Sequence, residues 1–525
     1  MREMKDSGYS WLGKIPSSWK IKKVKHCFHR KNEKAMQNNP VVLSLARSGV
    51  KVRDISNNEG QIAESYFNYN PVDVDDILLN PMDLYSGANC SISKVKGVIS
   101  PAYINLKALE GVNPGFFDYY FKVQYWLMAF FSYGKGVSFE NRWTLNAEIL
   151  MNYPLLVPKY SEQCKIKKYL DEKCSKIDVV LEKQKQIVEK LNIYKTALIT
   201  EAVTKGVHPC GNTKKTSIGW ISEIPSHWTE YRVANLYDQT NESGDESLPI
   251  LTVSINNGIS DRELKDDEQE RVFVRSEDRT KYKRVRPGDL VYNMMRAWQG
   301  AFGAVRVNGM VSPAYITCRP KKNTEIDSRY IEYLFRTPIA VEEMHRYSHG
   351  IADFRLRLYW PEFKNIRLCI PPIQEQTDIA DYIDEKCLLI DKLIEKRECL
   401  IKKIEGYKKS LIYECVTGKK EIPVYIKDAY DTGIKPKVLE QICDQAKSCG
   451  IHKVILFGSR ARGTFHRDSD IDLAVCGGNV DLFRLAVEEE TDTLLAYDVV
   501  NLDRTSNEEL LDVIRKEGVI IYEEV

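Results

Sequence analysis

The sequence predicts an α+β chain: two β-rich modules separated by a pair of long antiparallel coiled-coil helices, then a small α/β domain. Three observations predict it. A unit of about 210 residues occurs twice. Each copy ends in a long stretch of heptad periodicity. Beyond about residue 420 the charge and the motifs change together. The expected boundaries are 1–160 and 217–372 for the modules, 161–206 and 373–418 for the helices, and 430–525 for the last domain.

The bulk composition suits this plan. At 525 residues the chain exceeds what one core organises, so three or more domains are expected. No apolar run approaches the ~18 residues of a membrane helix, and Met1 to Lys20 lacks the apolar centre of a signal peptide. The 13 cysteines include no C-x-x-C pair, which argues against a disulfide framework or zinc module and for a reducing cytoplasm. The formal charge of +2 conceals a division: residues 424–525 carry a net −8 and residues 1–423 a net +10. The first part suits a polyanionic partner, and the last part does not.

Three landmarks define the repeat. Gly8-Tyr9-Ser10-Trp11-Leu12-Gly13-Lys14-Ile15-Pro16-Ser17-Ser18-Trp19 returns as Ser217-Ile218-Gly219-Trp220-Ile221-Ser222-Glu223-Ile224-Pro225-Ser226-His227-Trp228. Ile99-Ser100-Pro101-Ala102-Tyr103-Ile104 returns as Val311-Ser312-Pro313-Ala314-Tyr315-Ile316. Tyr169-Leu170-Asp171-Glu172-Lys173-Cys174 returns as Tyr382-Ile383-Asp384-Glu385-Lys386-Cys387. Between the landmarks the copies diverge, through short β-type runs broken by Gly, Pro and Asn.

The heptad stretches carry the second element. Ile177, Val180, Gln184, Ile187, Leu191, Tyr194 and Leu198 step by three and four, as do Ile390, Leu393, Arg397, Leu400, Ile404, Tyr407 and Leu411. Helices over 162–204 and 375–417 would each run roughly 60 Å at 1.5 Å per residue. A stripe that long needs an equally long partner, and the other copy supplies it. The polar positions Gln184 and Arg397 would fix register. Duplication implies approximate twofold symmetry.

Two similar but divergent readers on a rigid spacer suit a two-part target on a rod-like ligand, double-stranded DNA. Paired readers on one face of B-DNA lie a helical turn apart, about 34 Å, or a multiple of it. Loop residues able to grip phosphates or reach base edges are Arg47, Lys51, Arg53, Lys135, Asn141 and Arg142 in the first module. In the second they are Asn256, Asn257, Arg296, Gln299, His349, Arg355 and Arg357. Taken singly, each is also what a solvated surface looks like.

The G-x-I-P-x-x-W start, the V-S-P-A-Y strand, the helix start Pro371-Pro372-Ile373-Gln374-Glu375-Gln376 and the duplication resemble type I restriction-modification specificity subunits over about residues 1–420. The first copy departs at Val157-Pro158-Lys159-Tyr160-Ser161-Glu162-Gln163, where one proline stands for two. The resemblance implies that each module is a target recognition domain reading half of a split site. It implies that the helices bind methyltransferase subunits, two by symmetry, and set the gap between half-sites. Restriction and translocase subunits would join through the complex. It implies no catalytic residue and no cofactor for DNA recognition. Asn80-Pro81-Met82-Asp83 is similar to a methyltransferase signature, but its counterpart Asn293-Met294-Met295-Arg296 makes it a shared strand end.

The last domain has its own chemistry. Strand Lys453-Val454-Ile455-Leu456-Phe457 runs into Gly458-Ser459, ten residues precede Asp470-Ile471-Asp472, and Asp498 follows on a later apolar run. Asp470 and Asp472, two apart on a strand, face the same side and with Asp498 would cage Mg²⁺. Gly458 permits close approach of the backbone, and Ser459 can bond a phosphate. This G-S-x10-D-x-D pattern resembles the minimal nucleotidyltransferases of the polymerase-β-like superfamily. The resemblance implies an NTP and Mg²⁺ as cofactors, with Arg460 and Arg462 on the triphosphate. Two rivals to a DNA-specificity role stand beside it: a nucleotidyltransferase brought to nucleic acid by the repeats, and a coiled-coil adaptor that binds no DNA.

Overall fold

The computed structural model describes residues 2–46, 48–54, 63, 65–82, 84, 89–136, 143–208, 211–245, 247–255, 257–264, 281–350, 356–422 and 432–524. They fall into two compact units, Met1–Lys176 with Gly406–Val525, and Ile177–Glu405.

Each module is built on a four-stranded antiparallel sheet. In the first the spatial order is Phe28–Lys31, Ile104–Ala108, Ile77–Leu79, Cys90–Ile92. In the second it is Tyr237–Thr240, Tyr315–Pro320, Leu290–Asn293, Phe302–Ala304. The orders correspond strand for strand, and the repeated Pro-Ala-Tyr landmark leads into the inner strand of both. Short strands flanked by turns suffice here because their apolar residues, such as Leu106 and Tyr292, are fully buried.

The first landmark of each copy is a docking device. Trp19 and Trp228 are fully buried, and each indole donates to a glutamate in the first turn of its own long helix. Trp19 Nε1 reaches Glu162 Oε2 at 3.0 Å, and Trp228 Nε1 reaches Glu375 Oε1 at 3.1 Å. The glutamine that follows is buried and equally fixed. Gln163 accepts from the Asn113 amide at 2.8 Å and donates to Pro158 O at 3.0 Å. Gln376 accepts from the Asp327 amide at 2.9 Å and donates to Pro371 O at 2.9 Å. Buried polar groups must be paired, so the Glu-Gln at the helix start belongs to the fold.

The long helices are Tyr160–Lys205 and Ile373–Val416. Left-handed glycines follow their ends, Gly206 at φ +81° and Gly418 at φ +72°. A Cβ on Gly418 would collide with Pro16 and press on Trp19, so the end of the second helix lies against the first module. In the other unit, Ala202 and Val203 join the core around Trp228, Ile379 and Ile383.

Within Ile177–Glu405 the helices pair antiparallel. Gln184 accepts from Arg397 at 3.0 Å, Lys195 binds Asp391 at 2.7 Å, and Lys185 lies 3.7 Å from Glu405. The expected register residues therefore meet, and they are each other's repeat counterparts, 213 positions apart. The expected seam is only half right. Its least exposed column runs through Cys174, Ile177, Leu181, Gln184, Val188, Leu191, Lys195, Leu198 and Ala202. The second helix repeats it through Cys387, Ile390, Ile394, Arg397, Ile401, Ile404, Lys408, Leu411 and Cys415. Val180, Leu393 and Leu400 lie outside it, at 43%, 49% and 37% exposure, and Ile187 is half-buried beside it. The steps are four-three where three-four was expected, which moves every second knob by one residue.

The last domain carries a mixed sheet in the order Tyr497–Asn501, Ile471–Cys476, Lys453–Leu456, Val519–Glu523, with only the first pair parallel. Pro436–Ser448 and Val480–Glu490 pack over its core of Val454, Leu456, Leu473 and Val475. Ile514 covers Phe457 and Ala474. The Glu523 carboxylate bridges Lys453 at 3.2 Å and Lys173 of the first long helix at 3.8 Å.

Candidate functional sites

The site in the last domain forms where strand Lys453–Leu456 turns over. Gly458 has φ +71°, and a Cβ there would collide with the Asp472 carboxylate. The Phe457 amide donates to Asp472 O at 2.9 Å, which locks the turn to the neighbouring strand. Ser459 follows, half-buried. Asp472 stands in direct register with Asp498 across the parallel pair. Its carboxyl is raised above the ordinary aspartate range, first by burial and then by the charges of Asp498 and Asp470.

The three carboxylates thus feel one another, but they do not form a closed cage. Among the described residues no three His, Cys, Asp or Glu side chains converge as a metal site. Asp470 and Asp498 are exposed, while Asp472 is half-buried. The chemistry still fits a hard divalent cation: carboxylate oxygens only, with mutual repulsion that a cation would relieve.

The arginines divide. Arg462 is exposed and ion-paired with Glu517. Arg460 is turned into the fold, 1% exposed, with its guanidinium engaged by backbone carbonyls. It is not presented to a triphosphate, which corrects the expectation for that residue.

The second candidate surface lies at the strand ends of the modules. Asn80 and Asn293 each accept from the amide two residues on, Met82 and Met295, at 3.0 Å. They are matching Asx turns, as a shared strand end requires. Against each turn lies a bridged segment, held by Leu145 N to Pro81 O at 2.8 Å and by Leu358 N to Met294 O at 2.9 Å. The bridges are the antiparallel pairs Lys135–Thr144 and His349–Arg357. Lys135, His349 and Arg357 are exposed, and Arg296 and Gln299 follow the second Asx turn directly. Arg296, His349 and Arg357 are thereby gathered at one end of the second module, with Lys135 at the matching place in the first.

Lys51 is exposed on a separate hairpin, where Gly49–Val52 pairs with Leu43–Ala46. The half-buried Arg53 donates its amide to Val42 O at 2.8 Å. Asn257 is exposed at the turn between Val253–Ser254 and Gly258–Ile259. Arg47, Asn141, Arg142, Asn256 and Arg355 lie outside the described residues. Sequence reasoning missed the paired Asx turns; the shared asparagine at Asn80 and Asn293 was the available signal.

Comparison with known proteins agrees with both halves. The family model "Polymerase beta, Nucleotidyltransferase" matches residues 438–525. The type I restriction enzyme MjaVIII specificity subunit of Methanocaldococcus jannaschii is 25% identical over 371 residues, covering 66% of this chain and 80% of the relative. Among solved structures, a chain from a study of complex assembly and conformational transition of the type I R-M system superposes with TM-score 0.55 at 14% identity, covering 77% of this chain and 99% of that one. The HsdS subunit of Thermoanaerobacter tengcongensis gives TM-score 0.42 at 14% identity, covering 79% and 100%. No helix among the described residues is long and apolar enough to cross a membrane. Over 371 residues the chain is thus similar to a type I restriction enzyme specificity subunit, and residues 438–525 match the polymerase-β-type nucleotidyltransferase domain.

Proposed function

We propose that this chain is the DNA-specificity subunit of a type I restriction-modification complex. Each module, residues 1–160 and 217–372, is a target recognition domain that reads one half of a bipartite site. The long helices carry methyltransferase subunits, two by symmetry, and restriction and translocase subunits join through them. The observation that carries this reading is the duplicated scaffold: two sheets of one topology, matching bridges at Lys135–Thr144 and His349–Arg357, and helices paired antiparallel through Gln184 and Arg397. Val180, Leu393 and Leu400 leave apolar surface outside the seam, as helices awaiting further partners would. Lys135, Arg296, His349 and Arg357 grip the duplex, and base readout comes from the neighbouring loops.

In the last domain, Asp470, Asp472 and Asp498 hold Mg²⁺, Gly458 and Ser459 approach the nucleotide, and Arg462, exposed at the end of the same short helix, serves the phosphates. Bound Mg²⁺ would stabilise charge during attack on the α-phosphate of an NTP. This chain's contribution is to bring Asp472 and Asp498 into register, leave room at Gly458 for the Asp472 carboxylate and keep Arg462 exposed.

Copurification with a methyltransferase, followed by sequencing of methylated sites, tests the main role. A motif in two halves with an unread gap is the expected result, and an undivided motif would sink it. For the last domain, intact chain and Asp470→Ala are incubated with α-labelled NTPs. Incorporation should depend on Asp470, and label that survives its loss would place the chemistry elsewhere.

A further inference from the structure

Arg460 is among the largest fully buried side chains of the molecule. Among the described residues, every hydrogen bond that its guanidinium donates goes to a backbone carbonyl. Nε donates to Ser469 O at 2.9 Å and Asp470 O at 3.1 Å, one terminal nitrogen to Ser469 O at 2.6 Å, and the other to Thr432 O at 3.0 Å. One face of the guanidinium lies over the Phe465 ring, 5.2 Å from its centroid. Phe465 is seated in turn on Gly433, where φ is +63° and a Cβ would collide with the ring.

These contacts have a direction. Ser469 and Asp470 form the loop that delivers Asp470 and Asp472 to the carboxylate cluster, and Thr432 stands where the chain enters the last domain. A planar fork with five donors can hold several carbonyls at once, whereas an ammonium on a flexible stem cannot fix them in one plane. Burying an arginine without a carboxylate partner is costly, so the arrangement needs compensation. Its charge also reaches Asp472 and favours the ionised form there.

We propose that Arg460 is a positioning residue. It clamps the Ser469–Asp470 loop to the point where the chain enters the domain, and thereby sets the carboxylates in place for a divalent cation and nucleotide. This rests on the nucleotidyltransferase reading of the domain. It assigns Arg460 a role different from phosphate contact, one in which neither its charge alone nor its bulk alone suffices.

The test uses the full chain with Arg460→Lys, Arg460→Met and Asp472→Asn. Mn²⁺ binding is followed by electron paramagnetic resonance, alone and with α,β-methylene-ATP, and amide hydrogen exchange is followed over residues 466–472. Arg460→Lys should weaken Mn²⁺ binding about tenfold, a typical loss when a group supporting a metal ligand is removed. Exchange over 466–472 should rise in Arg460→Lys while 497–501 stays protected. Should Arg460→Met unfold the domain, Arg460→Lys decides. Wild-type affinity and unchanged exchange in Arg460→Lys would overturn the proposal. Failure of the wild type to bind Mn²⁺ or nucleotide would instead sink the nucleotidyltransferase reading, and the exchange data would still decide whether Arg460 holds the loop.

Discussion

At Gly458 two constraints coincide, a φ of +71° and the Asp472 carboxylate standing where a Cβ would go. Gly458→Ala should therefore cost about 1–3 kcal/mol in the last domain, as left-handed backbone does for other residues. It should also abolish label incorporation from NTPs; unchanged incorporation would remove the turn from the site. Asp472 permits a second prediction, from pH. Its carboxyl is raised, so folding disfavours the ionised form. The stability it contributes is full below about pH 3.8 and is lost as pH rises through the elevated value. Asp472→Asn should then unfold at a higher temperature than the wild type at pH 7, with the two converging near pH 3. Calorimetry across that range checks both the sign and the window. The acidic pattern was legible in the sequence as D-x-D beyond Gly458-Ser459, although Asp470 precedes the strand Ile471–Cys476 and alternation along it places Asp472 alone. Arg460 was not, since an arginine beside a phosphate-type turn reads the same whether it points outward or into the core.

Element by element, the paired helices show how far periodicity goes. Their existence, extent and meeting at Gln184 and Arg397 follow from the seven-residue repeat. The phase does not, because Val180-Leu181, Ile187-Val188, Leu393-Ile394 and Leu400-Ile401 each offer two adjacent apolar residues for one place in the seam. Which one turns inward depends on where the partner helix lies, and a periodicity cannot register that. The outcome separates two kinds of substitution. Val180→Lys with Leu393→Lys, on the exposed column, should change unfolding free energy by less than about 0.5 kcal/mol, yet reduce recovery of the methyltransferase partner. Leu181→Lys with Ile394→Lys, on the inner column, should loosen the helix pair itself in denaturant titration. Equal destabilisation by both pairs would mean that the columns are misassigned. The Trp19–Glu162 and Trp228–Glu375 bonds were visible beforehand only as repeated letters. Nothing in a local pattern says that residues 143 and 147 apart will touch.

For the molecule as a whole, the proposed reading of a split site makes helix length the rule for the gap between half-sites. One heptad added after Gln184 and another after Arg397 lengthens both helices by about 10 Å at 1.5 Å per residue. At 3.4 Å per base pair the unread gap should widen by about three base pairs, while each half-site stays the same. Sequencing methylated sites in cells carrying the lengthened chain reads the gap directly, and an unaltered gap would end the spacer idea. Duplication made the two matching sheets and the paired helices legible from sequence, whereas the segments that diverge between the copies follow geometry that a local pattern does not carry. The contact between Gln184 and Arg397 also bears on ancestry. Because each is the other's repeat image, identical copies would have set like against like there, guanidinium facing guanidinium or amide facing amide. Two glutamines could still pair, since an amide both donates and accepts, but two arginines could only repel. The unlike pair of Gln184 and Arg397 therefore favours two different copies held in one chain over a symmetric pair of identical short chains bearing arginine.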